Sequence, residues 1–223
     1  MYEKPDLYLA DCMEAMKEFP DNFFDLAIVD PVYGDVTKGG YMTNTDSQRK
    51  LAEPIHYHLG LWNQKKTGKE YFDELFRVSK NQIIWGGNYF TVEIGKNTQC
   101  WIVWDKQKTG RFADVEIAWT SFNKGSRIFR FQWNGMLQGD MKNREKRIHP
   151  TQKPVALYKW LLDKYAKKGD KILDTHAGSA SSLVACHICG YEGWGFEIDD
   201  EYFRQAKNRL QLAKNQISIF EML

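Results

Sequence analysis

The feature that most limits what this chain can fold into is an alternation of short apolar runs with amphipathic helical stretches, present at both ends of the sequence. Residues 7–9 read as a strand and 12–19 as a helix with Met13, Met16 and Phe19 on one face. Residues 24–29 then form a continuous apolar strand stopped by Asp30-Pro31. Phe72, Leu75, Phe76 and Ser79 share a face, which makes 71–79 helical, and 82–85 is a strand ended by Gly86-Gly87. Beyond Pro154 the order returns: a helix carrying Val155, Tyr158, Leu162 and Tyr165, a strand over 171–174, a helix over 181–189, a strand over 193–198 and a helix over 199–212. Strands alternating with helices predict an α/β sheet covered on both faces. Between the two blocks, 101–104, 115–121 and 128–133 are aromatic and β-branched strands that read as antiparallel.

The chain has 223 residues, 43% of them apolar, enough for one domain over 1–223 with a substantial core. No apolar run approaches the ~18–20 residues that span a bilayer, and Met1-Tyr2-Glu3-Lys4-Pro5 lacks a secretory apolar region, so the expectation is a soluble, cytoplasmic protein without a membrane partner. Four scattered cysteines argue for reduced thiols. Cys186 and Cys189 have no second Cys-x-x-Cys to complete a zinc site. The 31 Lys+Arg nearly cancel the 29 Asp+Glu, which excludes a uniformly basic coat. Any polyanion site must be local, and residues 105–149 supply one: ten Lys+Arg (Lys106, Lys108, Arg111, Lys124, Arg127, Arg130, Lys142, Arg144, Lys146, Arg147) against five acids. Two aperiodic stretches, 34–69 and 138–149, are long enough to be binding loops; the first holds Tyr41, Arg49, Lys50, Lys65 and Lys66, and also His56 and His58, read as ordinary loop residues.

Two motifs carry chemistry. Ile172-Leu173-Asp174-Thr175-His176-Ala177-Gly178-Ser179-Ala180-Ser181 is a strand, a small-residue turn and a helix start, and Glu197 closes the next strand 23 residues after Asp174. A turn that admits a ligand at a helix N-terminus, with an acid placed for ribose hydroxyls, is the layout of a nucleoside site. One glycine in the turn does not make a pyrophosphate fingerprint, so a nucleoside without phosphates, S-adenosylmethionine, fits better. Ala180 is expected to hold a negative φ there. The second motif, Asp30-Pro31-Val32-Tyr33-Gly34, sits at the carboxyl end of an apolar strand, where open α/β sheets place their ligands. An exocyclic amino group on a base is a poor nucleophile because its lone pair is delocalised into the ring. A carboxylate and a carbonyl accepting its two N–H bonds localise that pair, and Asp30 and the Pro31 carbonyl suit the task, with Tyr33 as a ring for a flipped base.

With these motifs the chain resembles the amino-group DNA methyltransferases, which carry Asp-Pro-Pro-Tyr and a strand-loop-helix cofactor motif. His149-Pro150-Thr151-Gln152-Lys153-Pro154 resembles the family's His-Pro-x-x-Lys-Pro segment, Leu9-Ala10-Asp11-Cys12 its adenine-contacting turn, and Gly195-Phe196-Glu197-Ile198-Asp199 its ribose segment. Catalytic motif before cofactor motif is the circularly permuted order of the β group. The resemblance implies a Rossmann-like S-adenosylmethionine-dependent methyltransferase sheet acting on double-stranded DNA, with a homodimer as a further expectation and target recognition in 105–149. It implies catalytic roles for Asp30, Pro31 and Tyr33, and cofactor roles for Asp11, Cys12, Lys153, Asp174, His176, Gly178, Ser179 and Glu197. Lys153 is expected to pair with the methionine carboxylate or to hold the loop at Gly178. Val32, Thr175, His176 and Ala180 depart from the family pattern. Aspartate at position 30 is more typical of N6-adenine enzymes; N4-cytosine methylation is the alternative, and a relative without catalysis is argued against by intact Asp30, Pro31, Tyr33 and Lys153.

Overall fold

A computed structural model describes residues 2–33, 66–107, 113–134 and 137–220. Tyr41, Arg49, Lys50, His56, His58, Lys65, Lys108 and Arg111 lie outside the described residues. In chain order the elements are β1 (Leu7–Leu9), α1 (Cys12–Lys17), β2 (Phe24–Val29), α2 (Lys69–Val78), β3 (Ser79–Trp85), α3 (Thr91–Ile94), β4 (Ile102–Asp105), β5 (Val115–Thr120), β6 (Arg127–Arg130), β7 (Trp133–Asn134), β8 (Leu137–Gln138), α4 (Val155–Tyr165), β9 (Lys171–Asp174), α5 (Ser181–Cys189), β10 (Glu192–Glu197) and α6 (Asp200–Phe220). Eight strands form one sheet in the order β1-β10-β9-β2-β3-β5-β4-β6, and β7 and β8 pair separately.

β1, β10, β9, β2 and β3 run parallel, and the apolar residues at the centre of the sheet, Leu26 to Val29, Ile83 to Trp85, Ile172 and Leu173, are buried from both sides. α1, α2 and α3 cover one face through Met16, Phe72, Leu75 and Ile94. α4 and α5 cover the other through Leu157, Leu161 and Ala185, and α6 closes on α5 through Ala206 and Leu210. None of these helices is long and apolar enough to cross a membrane.

The antiparallel reading of 101–133 needs correction. β5 opposes both β3 and β4, but β6 pairs with β4 in parallel. The reason is the short 121–126 connection. It starts at the sheet edge where β5 ends, is pinned there by Arg127 N–H to the Trp101 carbonyl (2.9 Å) and Trp101 N–H to Ser126 Oγ (3.1 Å), and so must send β6 back beside the start of β4. β5 occupies one side of β4, leaving only the other. In consequence one edge of the sheet gathers the carboxyl ends of every strand except β5, which contributes its amino end.

Candidate active site

On the cofactor side of that edge, β9 ends in Asp174, and the turn 175–180 reverses the chain into α5. Asp174 accepts the Ser182 hydroxyl and the His176 N–H (3.1 Å), and burial pushes its carboxyl up to about 7. It lies behind the turn as its organiser. Glu197, at the end of β10, receives Gly178 N–H (2.8 Å) on one oxygen and Asp199 N–H (2.9 Å) on the other. Gly178 has φ +51°, and a Cβ there would stand 3.3 Å from the His149 ring, so the turn is cradled from the His149 side as well. Burial pushes the His149 and His176 rings down to about 3 and about 4, leaving both neutral at pH 7. The expectation of a negative φ at Ala180 is overturned: it sits at +57°. Its N–H bonds the Ala177 carbonyl (2.7 Å), its carbonyl accepts Val184 N–H (2.9 Å) to start α5, and its methyl packs with Leu7 and Ala206, which together hold a conformation an alanine resists by about 1–2 kcal/mol.

Asp11 caps α1 by accepting Met13 N–H (2.7 Å), which turns β1 outward beside the cleft. Burial pushes the Cys12 thiol up to about 12, so it stays protonated. Asp11, Cys12, His176, Gly178, Ser179 and Glu197 line one cleft, and Asp30 and Lys153 line the same cleft. The lining is acidic, and it suits a nucleoside with a cationic tail: a ribose diol at Glu197 and positive charge toward the carboxylates. Those residues therefore fit S-adenosylmethionine, a sulfonium and an ammonium on an adenosine.

On the other side, β2 delivers Asp30 at its carboxyl end. One oxygen, Oδ2, accepts Lys153 Nζ, whereas buried Oδ1 has no hydrogen-bond partner among the described residues. Lys153, just ahead of α4, is only 4% exposed and stands 3.2 Å from Glu116 on β5; Glu116 also pairs with Lys106 at the end of β4. Burial pushes the Asp30 carboxyl up, Lys153 pulls it back and Glu116 adds to the rise. Burial would raise Glu116 too, but Lys153 and Lys106 hold it down to about 2. Lys153 is thus directed to Asp30 and Glu116, and the expectation that it holds the loop at Gly178 is corrected: Glu197 and His149 do that. Glu116 was missed as a site residue by sequence reasoning, and Lys106 was read only as one of the basic residues of 105–149. The available signal was period 2 in β5, which puts a carboxylate on the same face as buried Ala118.

Tyr33 stacks on Tyr89 with ring centroids 4.8 Å apart and an interplanar angle of 12°, and Phe90 meets it edge-on at 6.5 Å. Gly86 makes this possible: it has φ +64°, and a Cβ there would come within 2.9 Å of the Tyr33 ring. The Val32 carbonyl receives Thr67 N–H (2.9 Å), fixing the strand of residues on which Tyr33 stands.

The basic residues of 105–149 do not form one patch. Lys124 precedes β6 and Arg127 opens it, both at the opposite edge of the sheet from Asp30, while Arg130 ends β6 on the Asp30 edge. Lys142, Arg144 and Lys146 are exposed on a segment tied to the cofactor turn through Glu145, which pairs with Arg209 (2.5 Å), itself bonded to the Ser179 carbonyl (2.7 Å).

The fold is similar to that of solved DNA methyltransferases. Solved structures of similar fold are M1.HpyAVI in complex with SAM (TM-score 0.57, 20% identity, 92% of this chain and 98% of that one) and the cytosine-N4-specific PvuII DNA methyltransferase (TM-score 0.56, 12% identity, 95% and 92%). Residues 104–208 match the N6/N4 family model described as DNA methylase. The chain is 25% identical to the Type II methyltransferase M.HpaI of Haemophilus parainfluenzae, over 94% of this chain and 75% of that protein. Over these residues the chain is similar to the N6/N4 DNA methyltransferases.

Proposed function

We propose that the enzyme methylates N6 of an adenine flipped out of double-stranded DNA, with Asp30, Pro31 and Tyr33 at the reacting amino group. The observation that carries this reading is the division of labour at Asp30: Oδ2 is tied to Lys153, and Oδ1 is a buried acceptor without a partner among the described residues, in the same cleft as the cofactor turn. A buried acceptor left unpaired is costly and is retained where a ligand completes it. S-adenosylmethionine supplies an electrophilic methyl group on sulfur. Asp30 Oδ1 and the Pro31 carbonyl accept the two amino N–H bonds and localise the nitrogen lone pair, Asp30 stabilises the positive charge that grows on nitrogen, and the Tyr33 ring stacks on the base. Glu197 binds the ribose, Asp11 and Cys12 flank the adenine ring, His176 and Ser179 border the methionine moiety, and Asp174 and Gly178 shape the turn. Incubation with methyl-labelled cofactor and unmethylated duplex DNA, followed by nucleoside analysis, is expected to put the label on N6-methyladenine; label on N4-methylcytosine overturns the choice of base.

Phosphate contact falls to the cations on the Asp30 edge. Log affinity for duplex DNA against log salt is expected to lose roughly 0.9 of its slope for each phosphate contact removed by Lys142→Ala, Arg144→Ala or Lys146→Ala. Lys124→Ala and Arg127→Ala, at the far edge, leave the slope unchanged. A reversed result moves the DNA to the other side of the sheet.

A further inference from the structure

We infer that Glu116 is a positioning residue for methyl transfer: it anchors Lys153, and Lys153 in turn holds one oxygen of Asp30 so that the other faces the target amino group. The inference rests on the role of Asp30 proposed above and extends it to a strand 86 residues away.

Glu116 occupies an inward position of β5, opposite Trp104 on β4 and on the same face as Ala118, where an aliphatic side chain would pack at lower cost. What it gains there is two lysines. Lys106 bonds one of its oxygens, and Lys153 stands 3.2 Å from the other. The Lys153 ammonium is further confined by the Trp85 ring, 5.4 Å from the centroid, so its remaining freedom is directed to Asp30. The arrangement is a chain of alternating charge, Lys106, Glu116, Lys153, Asp30, drawn from the end of β4, from β5, from the segment before α4 and from the end of β2. Its electrostatic consequence is as definite as its geometry. An Asp30–Lys153 pair alone is neutral and would present little field to a nitrogen becoming cationic. Sharing Lys153 with Glu116 leaves Asp30 with more of its negative charge directed outward through Oδ1.

An ion-pair cluster that merely stabilises the fold would behave differently. The groups that face Asp30 are Lys153, Glu116 and Lys106, with Tyr33 beside it, Tyr71 on α2, Tyr158 on α4 and Asp174 on β9. The tyrosines stay neutral between pH 5 and 9, and Asp174 is common to every variant, so a displacement of the pH profile relative to wild type reports the changed neighbour.

The test is the single-turnover methylation rate on duplex DNA from pH 5 to 9, with cofactor affinity measured in parallel. Glu116→Gln, nearly isosteric, is expected to lower the plateau rate about tenfold while cofactor affinity changes less than about twofold. Because Glu116 raises the Asp30 carboxyl, its acid limb is expected to move to lower pH by ~0.5–1 unit. Lys106→Gln removes a cation that lowers Asp30, so its limb moves the opposite way. Limbs that coincide with wild type, or that move in the same direction, overturn the inference and leave Glu116 a structural residue. If Glu116→Gln does not fold, the Lys106→Gln arm decides: an unmoved limb overturns it. Full activity in Asp30→Asn would instead remove the reading of Asp30 on which the inference stands.

Discussion

Asp30→Asn is expected to lower the single-turnover methylation rate by at least about a hundredfold, the scale of losing one preorganised electrostatic contact to a developing charge. The change is nearly isosteric and keeps an acceptor at Oδ1, so what it removes is charge. Ground-state contacts to DNA and cofactor do not depend on that charge in the way the transition state does, since the amino nitrogen is neutral before attack and cationic after it. Affinities for duplex DNA and for S-adenosylmethionine should therefore stay within a few-fold of wild type. In the unaltered enzyme burial holds the Asp30 carboxyl above its ordinary range, and only the ionised form can act. The wild-type rate should accordingly fall as pH drops through that raised value, a limb the asparagine variant lacks. Rapid-quench assays at several pH values, with calorimetry for the two ligands, check all of this. A wild-type rate in Asp30→Asn would return the site to a cofactor-binding cleft of unassigned chemistry.

Much of this was legible before any coordinates, for physical reasons that also mark where legibility stops. The parallel block could be read because a strand buried on both faces must be apolar through its middle, as 26–29 and 172–173 are, and because Asp-Pro and Gly-Gly end strands by backbone geometry alone. Asp30, Tyr33, Gly178 and Glu197 were visible because each follows a strand at the end where ligands bind, a rule that needs no partner to be known. The parallel pairing of β6 was not visible. It depends on which side of β4 is already taken by β5, and that is a tertiary fact. The same holds for Lys153, whose neighbours in sequence say nothing of Glu116. A buried cation is directed by the carboxylates around it, and these come from β2 and β5, 123 residues before it and 37 before it. Ala180 failed in another way: its preference for negative φ is real, but a chain that must reverse between β9 and α5 overrides it. Net charge over 105–149 was likewise correct as a count and uninformative about place, because β6 carries its first and last arginines to opposite edges of one sheet.

Lys153→Met carries the other large effect, and here the measured quantity is stability. The substitution preserves length and apolar stem but leaves Asp30 and Glu116 facing each other with only Lys106 between them and solvent. Removing one partner from a buried charge cluster destabilises by about 3–5 kcal/mol, chiefly because the remaining charges are stranded. The pH dependence fixes the cause. In the wild type Lys153 is held well above the ordinary lysine range, by Asp30 and Glu116 against the effect of burial, so its contribution is complete below the unfolded value of about 10.4 and is lost only as pH rises through the folded one. Glu116, held at about 2, contributes above its unfolded value of about 4.3 and loses that contribution as pH falls toward 2. Without Lys153 both carboxylates rise, so the native variant binds more protons than its unfolded chain near neutrality. Its stability should then increase as pH falls, opposite in slope to the contribution Glu116 makes in the wild type. Urea unfolding at pH 8 and pH 5.5 reads the difference: the deficit of Lys153→Met relative to wild type should be large at pH 8 and clearly smaller at pH 5.5. A deficit below about 1 kcal/mol at pH 8, the range of an exposed pair, would mean that water reaches the cluster and that Lys153 does not hold Asp30.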